Sequence, residues 1–430
     1  MPEVWLKYGY TDVVLDIRYE NLLMNYQASE IQNFSNEEIG KIENIKLVDN
    51  MIIFAFSSSS ESVIILDRIN KIALKKNIKV YFGTPSYLKD IIKKKLQSTN
   101  IDEKKDSSTK KIMTDESNNE SNYQNDVNNN IINNLYNING SDDFNKFSQI
   151  LFLSKVTYDP LFGFGGSITN ILKNYEIDKM GEAFNARKNN IPSPGSITYP
   201  LKMALEYASK WDENLSNCNT NNNIDCHNRI LKKIESIEIV TDYSGNSRVY
   251  YGDLNNNLQS GINDFVRDTK IETDFTRSLI VNAGHEVDNH VTLNESLDSM
   301  WNSIHAVRGH GTIILIAENK LGLGDGALKM FIEGRLSVDQ QMRLDTNKKY
   351  VRGMEHLLFI DEFKNKVEMG LLSSLPKCFS SKLGFTSFKN MKEIIEHLLE
   401  RNGKSHKISV LSDPDRLLLT KQISEGSTEF

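Results

Sequence analysis

Residues 159–169 read D-P-L-F-G-F-G-G-S-I-T. A carboxylate stands just ahead of three glycines, and a helix-forming run follows. Glycines at a strand-to-helix turn let backbone N–H groups face an anion. Gly163, Gly165, Gly166 and Ser167 would offer those groups here, with Thr169 on the first turn of the helix. Asp159 would repel an anion, but it suits a cation or a proton transfer. Phe162 and Phe164 read as core anchors rather than stacking platforms.

A second glycine loop, A-E-N-K-L-G-L-G-D-G-A-L-K-M-F (317–331), carries Gly322, Gly324 and Gly326 ahead of another helix. Its G-L-G-D-G pattern matches neither a Walker loop nor G-x-G-x-x-G. It reads either as a phosphate-type cradle or as a tight turn that needs positive φ. A third segment, N-A-G-H-E-V-D-N-H (282–290), holds His285, Asp288 and His290. Histidine near a carboxylate can serve as a general base or a metal pair, and it can equally be a solvated loop residue. His285, Asp288 and Asp159 are the catalytic candidates. Cys218, Cys226 and His227 lie in an Asn-rich stretch without C-x-x-C spacing or a second pair, so no metal site is expected.

Such loops need strands and helices to position them. Apolar runs predict strands at 50–56, 78–83, 150–155, 277–283, 311–319, 356–363 and 407–414. Helical periodicity predicts helices over 62–77, 199–211, 293–308 and 387–403, the last capped by Ser387 and ended by Gly403. Residues 234–253 read as a hairpin turning at Ser-Gly-Asn. The alternation implies an α/β fold: two domains, 1–274 and 275–430, with mainly parallel sheets flanked by helices and a ligand cleft between them. In such sheets ligands sit at the carboxyl ends of the strands. Two low-complexity inserts, 96–146 and 212–228, are expected to be disordered.

The composition narrows the function classes. The chain has 430 residues, 39% of them hydrophobic, and a net charge of −6. An acidic chain without a basic face argues against nucleic-acid binding. No apolar run is long enough to span a membrane. Three scattered cysteines and an N-terminus unlike a signal peptide predict a cytoplasmic protein. A homo-oligomer is compatible with the sequence.

Taken in order, several of these segments resemble the nickel-dependent lactate racemase family. They are Y-G-Y-T-D-V-V-L-D-I-R-Y-E-N-L-L near the start, D-P-L-F-G-F-G-G-S-I-T-N-I-L, the hairpin V-T-D-Y-S-G-N-S-R-V-Y-Y-G-D, residues 282–326, and K-I-S-V-L-S-D-P-D-R. The resemblance implies racemisation of 2-hydroxy acids by a nickel-pincer nucleotide attached through a lysine. It also implies departures from that chemistry. The attachment lysine falls on Thr169 and the nickel-ligating histidine on Asp159. The Asp and Arg of the family's D-H-T-R-P stretch fall near Ser59 and Ser62. G-T-P-S-Y replaces a histidine segment after the strand at 78–83. A second-domain lysine falls on Ser296 or Asp298. The expectation is a divergent member that binds a small anionic ligand, a 2-hydroxy acid or a nucleotide, in the cleft, its own cofactor left open. The alternatives are a non-catalytic scaffold or partner-binding protein on the same fold, and a racemase or epimerase using a different residue set.

Overall fold

The computed structural model describes residues 3–97, 135–137, 146–187, 192, 197–216, 233–283, 291–338 and 350–421. Two six-stranded sheets form the frame. The first runs, in spatial order, Ser247–Gly252, Lys233–Thr241, Gln149–Lys155, Met51–Ala55, Val80–Thr84 and Leu135–Asn137. All neighbours in it are parallel except the hairpin strand Ser247–Gly252. The second sheet is wholly parallel: Thr386–Phe388, Glu368–Leu372, Val307–Ile316, Thr276–Asn282, Ile408–Leu411 and Leu22–Tyr26. Residues 22–26 therefore complete the second sheet, although they precede every strand of the first.

The period of two along each strand decides which core a side chain joins. In Met51–Ala55 every residue is buried, as a central parallel strand requires. Ile52 and Phe54 point into one cluster with Ile150 and Phe152. Met51, Ile53 and Ala55 point the other way, with Leu151, Leu153 and the helix Ser60–Lys75. The second sheet splits likewise. Ile280, Ile314 and Ile316 pack against the N-terminal hairpin and the helix Met391–Asn402. Leu279, Val281, Ile313 and Leu315 join the cluster that holds Phe54 and Phe152. The inner faces of both sheets thus share one apolar core, to which Phe162, Phe164, Phe265 and Trp301 contribute fully buried rings.

Two predicted elements change. Residues 356–363 are not a strand: they belong to the helix Met354–Phe363, begun by Gly353 in the left-handed region. A run buried nearly all round carries no periodicity by which strand and helix can be told apart. The strand in that position is Glu368–Leu372, whose Gly370 lets the Phe388 ring pack over it. The helix expected from Ser387 starts at Met391 with Asn390 as its cap, and Thr386–Phe388 is an edge strand. Of the two inserts, Leu96 is buried, Leu135–Asn137 pairs with Val80–Thr84, and the helix Tyr199–Ser216 runs past Asp212. Residues 98–134, 138–145 and 217–232 lie outside the described residues, and with them Cys218, Cys226 and His227.

At the carboxyl edge of the first sheet a buried ion pair ties two strands to one helix. Lys155 Nζ lies 3.1 Å from Glu61 Oε1, and Thr241 Oγ1 donates to the same oxygen at 2.7 Å. Burial pushes the Glu61 carboxyl up, but Lys155 and the Thr241 hydroxyl outweigh it and hold the group down at about 2. This depressed value stabilises the fold above pH 4.5, and the contribution is lost as pH falls through 2. Replacing Lys155 by Met leaves a buried carboxylate without its cation. We expect a loss of roughly 3–5 kcal/mol in urea unfolding at pH 7. A loss below about 1 kcal/mol would show the pair to be dispensable.

Candidate functional site

The loops that leave the carboxyl ends of the strands converge between the two sheets. The strand Gln149–Lys155 leads into a short antiparallel ribbon, Thr157–Asp159 with Gly163–Gly165, and then into the helix Ser167–Tyr175. Asp159 is buried at the ribbon's tip. Its Oδ1 accepts the N–H groups of Leu161 and Phe162, each at 2.9 Å, and its Oδ2 pairs with the Lys173 ammonium. Lys173 sits one helical turn beyond Thr169, so the two share a helix face. Its ammonium also lies 5.9 Å from the centre of the Phe162 ring. Burial opposes the charge on Lys173, but Asp159, Asp298 and Glu355 more than offset it and raise its pKa.

Asp298 and Glu355 come from the second half of the chain. Asp298 lies on the helix Leu293–Ser303, started by a capping box between Thr292 and Glu295. Glu355 and His356 lie on the first turn of Met354–Phe363. Trp301 Nε1–H donates to His356 Nδ1 at 3.0 Å, so the neutral ring carries its proton on Nε2, 3.9 Å from Asp298 Oδ1. Burial and the nearby Lys173 hold His356 at about 3, so it stays neutral near pH 7. Tyr350 donates to Glu355 at 2.9 Å, and burial raises the Glu355 carboxyl. None of Lys173, Glu355 and His356 was singled out from the sequence. The signal missed was the i, i+4 relation of Thr169 to Lys173; His356 was hidden by the strand assigned to 356–363, and Glu355 lies just ahead of it.

The first glycine loop is closed by the chain itself. Gly166 N–H donates to Thr169 Oγ1 at 2.9 Å, and the same hydroxyl donates back to Gly166 O at 3.0 Å. Ser167 N–H donates to Glu238 Oε1 at 3.0 Å. The Glu238 side chain is fully buried, and its Oε2 has no partner among the described residues. A Cβ on Gly166 would come within 2.5 Å of Leu258 Cδ1 and 3.1 Å of that Oε2. The acceptor at this helix start is thus the Glu238 carboxyl of the neighbouring strand.

The second glycine loop lies open. A cavity of about 820 Å³ is lined by Thr292, Asn294, Glu295, Gly324, Gly326 and Arg352 from one half and by Ser86 and Tyr87 from the other. Ser86 and Tyr87 belong to the G-T-P-S-Y segment after Val80–Thr84. The Arg352 guanidinium lies 4.5 Å over the Tyr87 ring and bridges the halves. Gly322, Gly324 and Gly326 all have positive φ, as a tight turn requires. At Gly326 (φ 126°) a Cβ would fall 2.2 Å from the Arg352 carbonyl oxygen. No side chain caps the short helix that follows, although Ala327 N–H donates to Arg352 O at 2.8 Å.

His285, Asp288 and His290 lie outside the described residues. Ser296 is buried and donates to Asn319 Oδ1 at 2.6 Å. Ser59 caps the helix Ser60–Lys75 by accepting from Ser62 N–H. The residues in place do not fit a lysine-tethered nickel nucleotide at Thr169: its hydroxyl is engaged with Gly166, and Asp159 is bonded to Lys173 and two backbone groups. Among the described residues no group of three or more His, Cys, Asp or Glu is placed to hold a metal ion. None of the helices among them is long and apolar enough to cross a membrane.

Fold and site together define an α/β chain with a cleft-facing cavity built from both halves. In shape it is similar to the lactate racemase apoprotein from Thermoanaerobacterium thermosaccharolyticum, with a TM-score of 0.59, 12% identity, and coverage of 97% of this chain and 100% of that one. It is also similar to a crystal structure of a protein from Thermotoga maritima, with a TM-score of 0.58, 9% identity, and coverage of 92% and 100%. No protein-family model matches the sequence, and no curated protein does. The fold is lactate racemase-like.

Two outcomes are expected. Burial, set against the Ser167 hydrogen bonds, pushes Glu238 up to about 7. The folded state then holds a proton between pH 4.5 and 7 that the unfolded chain has lost, so this group's contribution to stability falls as pH rises through that window. Glu238→Gln should be more stable than the parent at pH 8, by at most roughly 3 kcal/mol, with the difference closing by pH 4.5. Thermal unfolding across that range checks it, and a difference independent of pH would exclude it. Gly326→Ala should cost about 1–3 kcal/mol in urea unfolding, because only glycine tolerates that backbone and that carbonyl contact.

Proposed function

We propose that the chain binds a small anionic ligand, a 2-hydroxy acid or a nucleotide, in the cavity between its two halves. The observation that carries this reading is Arg352. Arg352 lines a cavity of about 820 Å³ beside a positive-φ glycine loop, and its guanidinium lies over an aromatic ring from the opposite half. Guanidinium groups recognise carboxylates and phosphates by paired hydrogen bonds. Gly324 and Gly326 give the loop its close approach, and Thr292 and Ser86 add hydroxyls. A likeness of fold to a lactate racemase apoprotein is consistent with a ligand in this cleft.

A second reading is a partner-binding or scaffolding protein that does no chemistry here. The bonding of Asp159 favours it. Both its oxygens are engaged inside the chain, by two backbone N–H groups and a lysine. The Gly163–Gly166 loop and Ser167 are likewise turned toward Glu238 and Thr169 rather than toward the cavity. A reaction using His285, Asp288 and Asp159 would have to draw Asp159 out of that arrangement. In this reading the family's hydride-transfer residues are replaced and its scaffold is retained.

Native mass spectrometry of the full chain, purified from its own host, tests the first reading. We expect a bound acidic small molecule that is released on denaturation. Arg352→Ala should lose it, with affinity down roughly 10–100-fold, as expected for a charge-assisted contact. An empty parent protein, or unchanged occupancy in the variant, would favour the scaffold.

A further inference from the structure

The cavity lies beyond the carboxyl ends of the second sheet, and a separate feature stands at the amino edge. We infer that this amino edge holds a doubly charged oxyanion of the phosphate type, taken between Arg277, Arg308 and the ring of His406. The site is at the opposite end of the sheet from the cavity, so it stands or falls independently of what the cavity binds.

Strand register brings the two arginines together. Thr276 pairs with Val307 and Ser278 with Thr312, so Arg277 alone stands opposite residues 308–311, Arg-Gly-His-Gly. An excursion of this kind re-aims the side chains it carries. A Cβ on Gly311 would lie 2.7 Å from the Arg277 carbonyl oxygen and 2.8 Å from that of Arg308, so both backbones close on one glycine. His310 takes φ 60°, which residues other than glycine seldom adopt. Its N–H donates to Lys366 O at 2.7 Å, pinning the excursion to the chain that enters Glu368–Leu372.

The third group comes from the loop ahead of Ile408–Leu411. His406 Nε2 lies 2.8 Å from the Oγ of Ser278, the residue after Arg277. The Asn21 side chain donates to Lys404 O at 2.8 Å and to His406 O at 2.9 Å, which fixes that loop. Burial, and then the charges of Arg277 and Arg308, push the His406 ring below its usual range, so the three groups share one electrostatic environment. Lys404 and Lys407 flank the ring in the chain, and both are exposed.

Counter-charge is missing here. Arg277, Arg308, Lys404 and Lys407 are exposed, and none of them forms an ion pair among the described residues. Carboxylates of adjoining elements are engaged: Glu368 by His397 and Arg401, Glu362 by Lys366, and Glu272 by Lys270. Asp274, three residues before Arg277, is exposed and sets one negative charge against these cations. Guanidinium groups side by side repel unless an anion lies between them. A carboxylate is matched by the paired donors of one guanidinium and brings a single charge. A phosphate monoester brings nearly two charges and several acceptor oxygens, which suits two guanidinium groups beside an imidazole. A nucleic-acid strand would need a longer track of cations than this edge supplies.

Calorimetric titration of the full chain at low ionic strength tests the site, with inorganic phosphate, acetate and a neutral peptide bearing one phosphoserine as probes. We expect saturable binding of phosphate, about tenfold tighter than acetate. Combining Arg277→Gln with Arg308→Gln should weaken phosphate binding about tenfold or more. Far-ultraviolet circular dichroism establishes that the variant folds. If it does not, Arg308→Gln alone, on the exposed excursion, should still weaken phosphate binding severalfold. The peptide separates the sources of the phosphate: binding clearly tighter than free phosphate assigns the site to a phosphorylated chain, and equal or weaker binding assigns it to the free ion. No binding of phosphate or of the peptide, affinity equal to that of acetate, or affinity unchanged in the variants would overturn the site. The cavity's occupant is read separately by native mass spectrometry, and the arginine variants should leave it in place.

Discussion

A lysine ammonium largely removed from water needs a carboxylate, and Lys173 has one in Asp159. Much of the centre of this molecule follows from that pair. Asp159 stands at the tip of a ribbon whose turn it holds by accepting two backbone N–H groups. Lys173 stands on the helix that the same ribbon begins. The glycine loop between them folds back onto its own helix and closes against Glu238 and Leu258. The charge on Lys173 is also felt across the boundary, by Glu355 and by the neutral His356 of the second half. An ion pair within one half thus sets the electrostatics of the surface that the other half meets.

The two halves are joined by apolar packing as well as by charge. Alternate residues of both sheets feed a single core, so the carboxyl edges of two parallel sheets are held toward a common space. In that space the two glycine loops have different fates. The loop at 163–166 is packed against side chains of its own half. The loop at 322–326 has Arg352 beneath it and a cavity beside it. Similar glycine spacing therefore serves close packing in one case and leaves room for a ligand in the other. The difference lies in what the neighbouring strand and helix present.

The frame was readable from the residues because its signals are local. Met-Ile-Ile-Phe-Ala and Leu-Ile-Val are runs that only a buried parallel strand or a buried helix accommodates, and their length and flanking turns favour the strand. The hairpin at Ser-Gly-Asn is turn chemistry written within a few residues. The same local logic failed at 356–363, where burial on every side erased the period, and at Glu368–Leu372, where a short strand contains both a charge and a glycine. The site was less legible. Asp159 and the glycines stood out by type, whereas Lys173, Tyr87 and Arg352 look ordinary in sequence and matter through what they face.

By itself, then, the sequence determined an α/β chain of two mainly parallel sheets and the turns that need glycine. Hydrophobic period, caps and turn residues act over a few positions, so they are fully present in one dimension. Tertiary structure alone decided that Glu238, 71 residues beyond Ser167, would occupy the helix start. It alone decided that Tyr87 and Arg352 would meet across the cleft, and that residues 22–26 would finish a sheet begun far later in the chain. Those outcomes depend on which surfaces pack together, and that pairing is a property of the folded core rather than of any stretch within it.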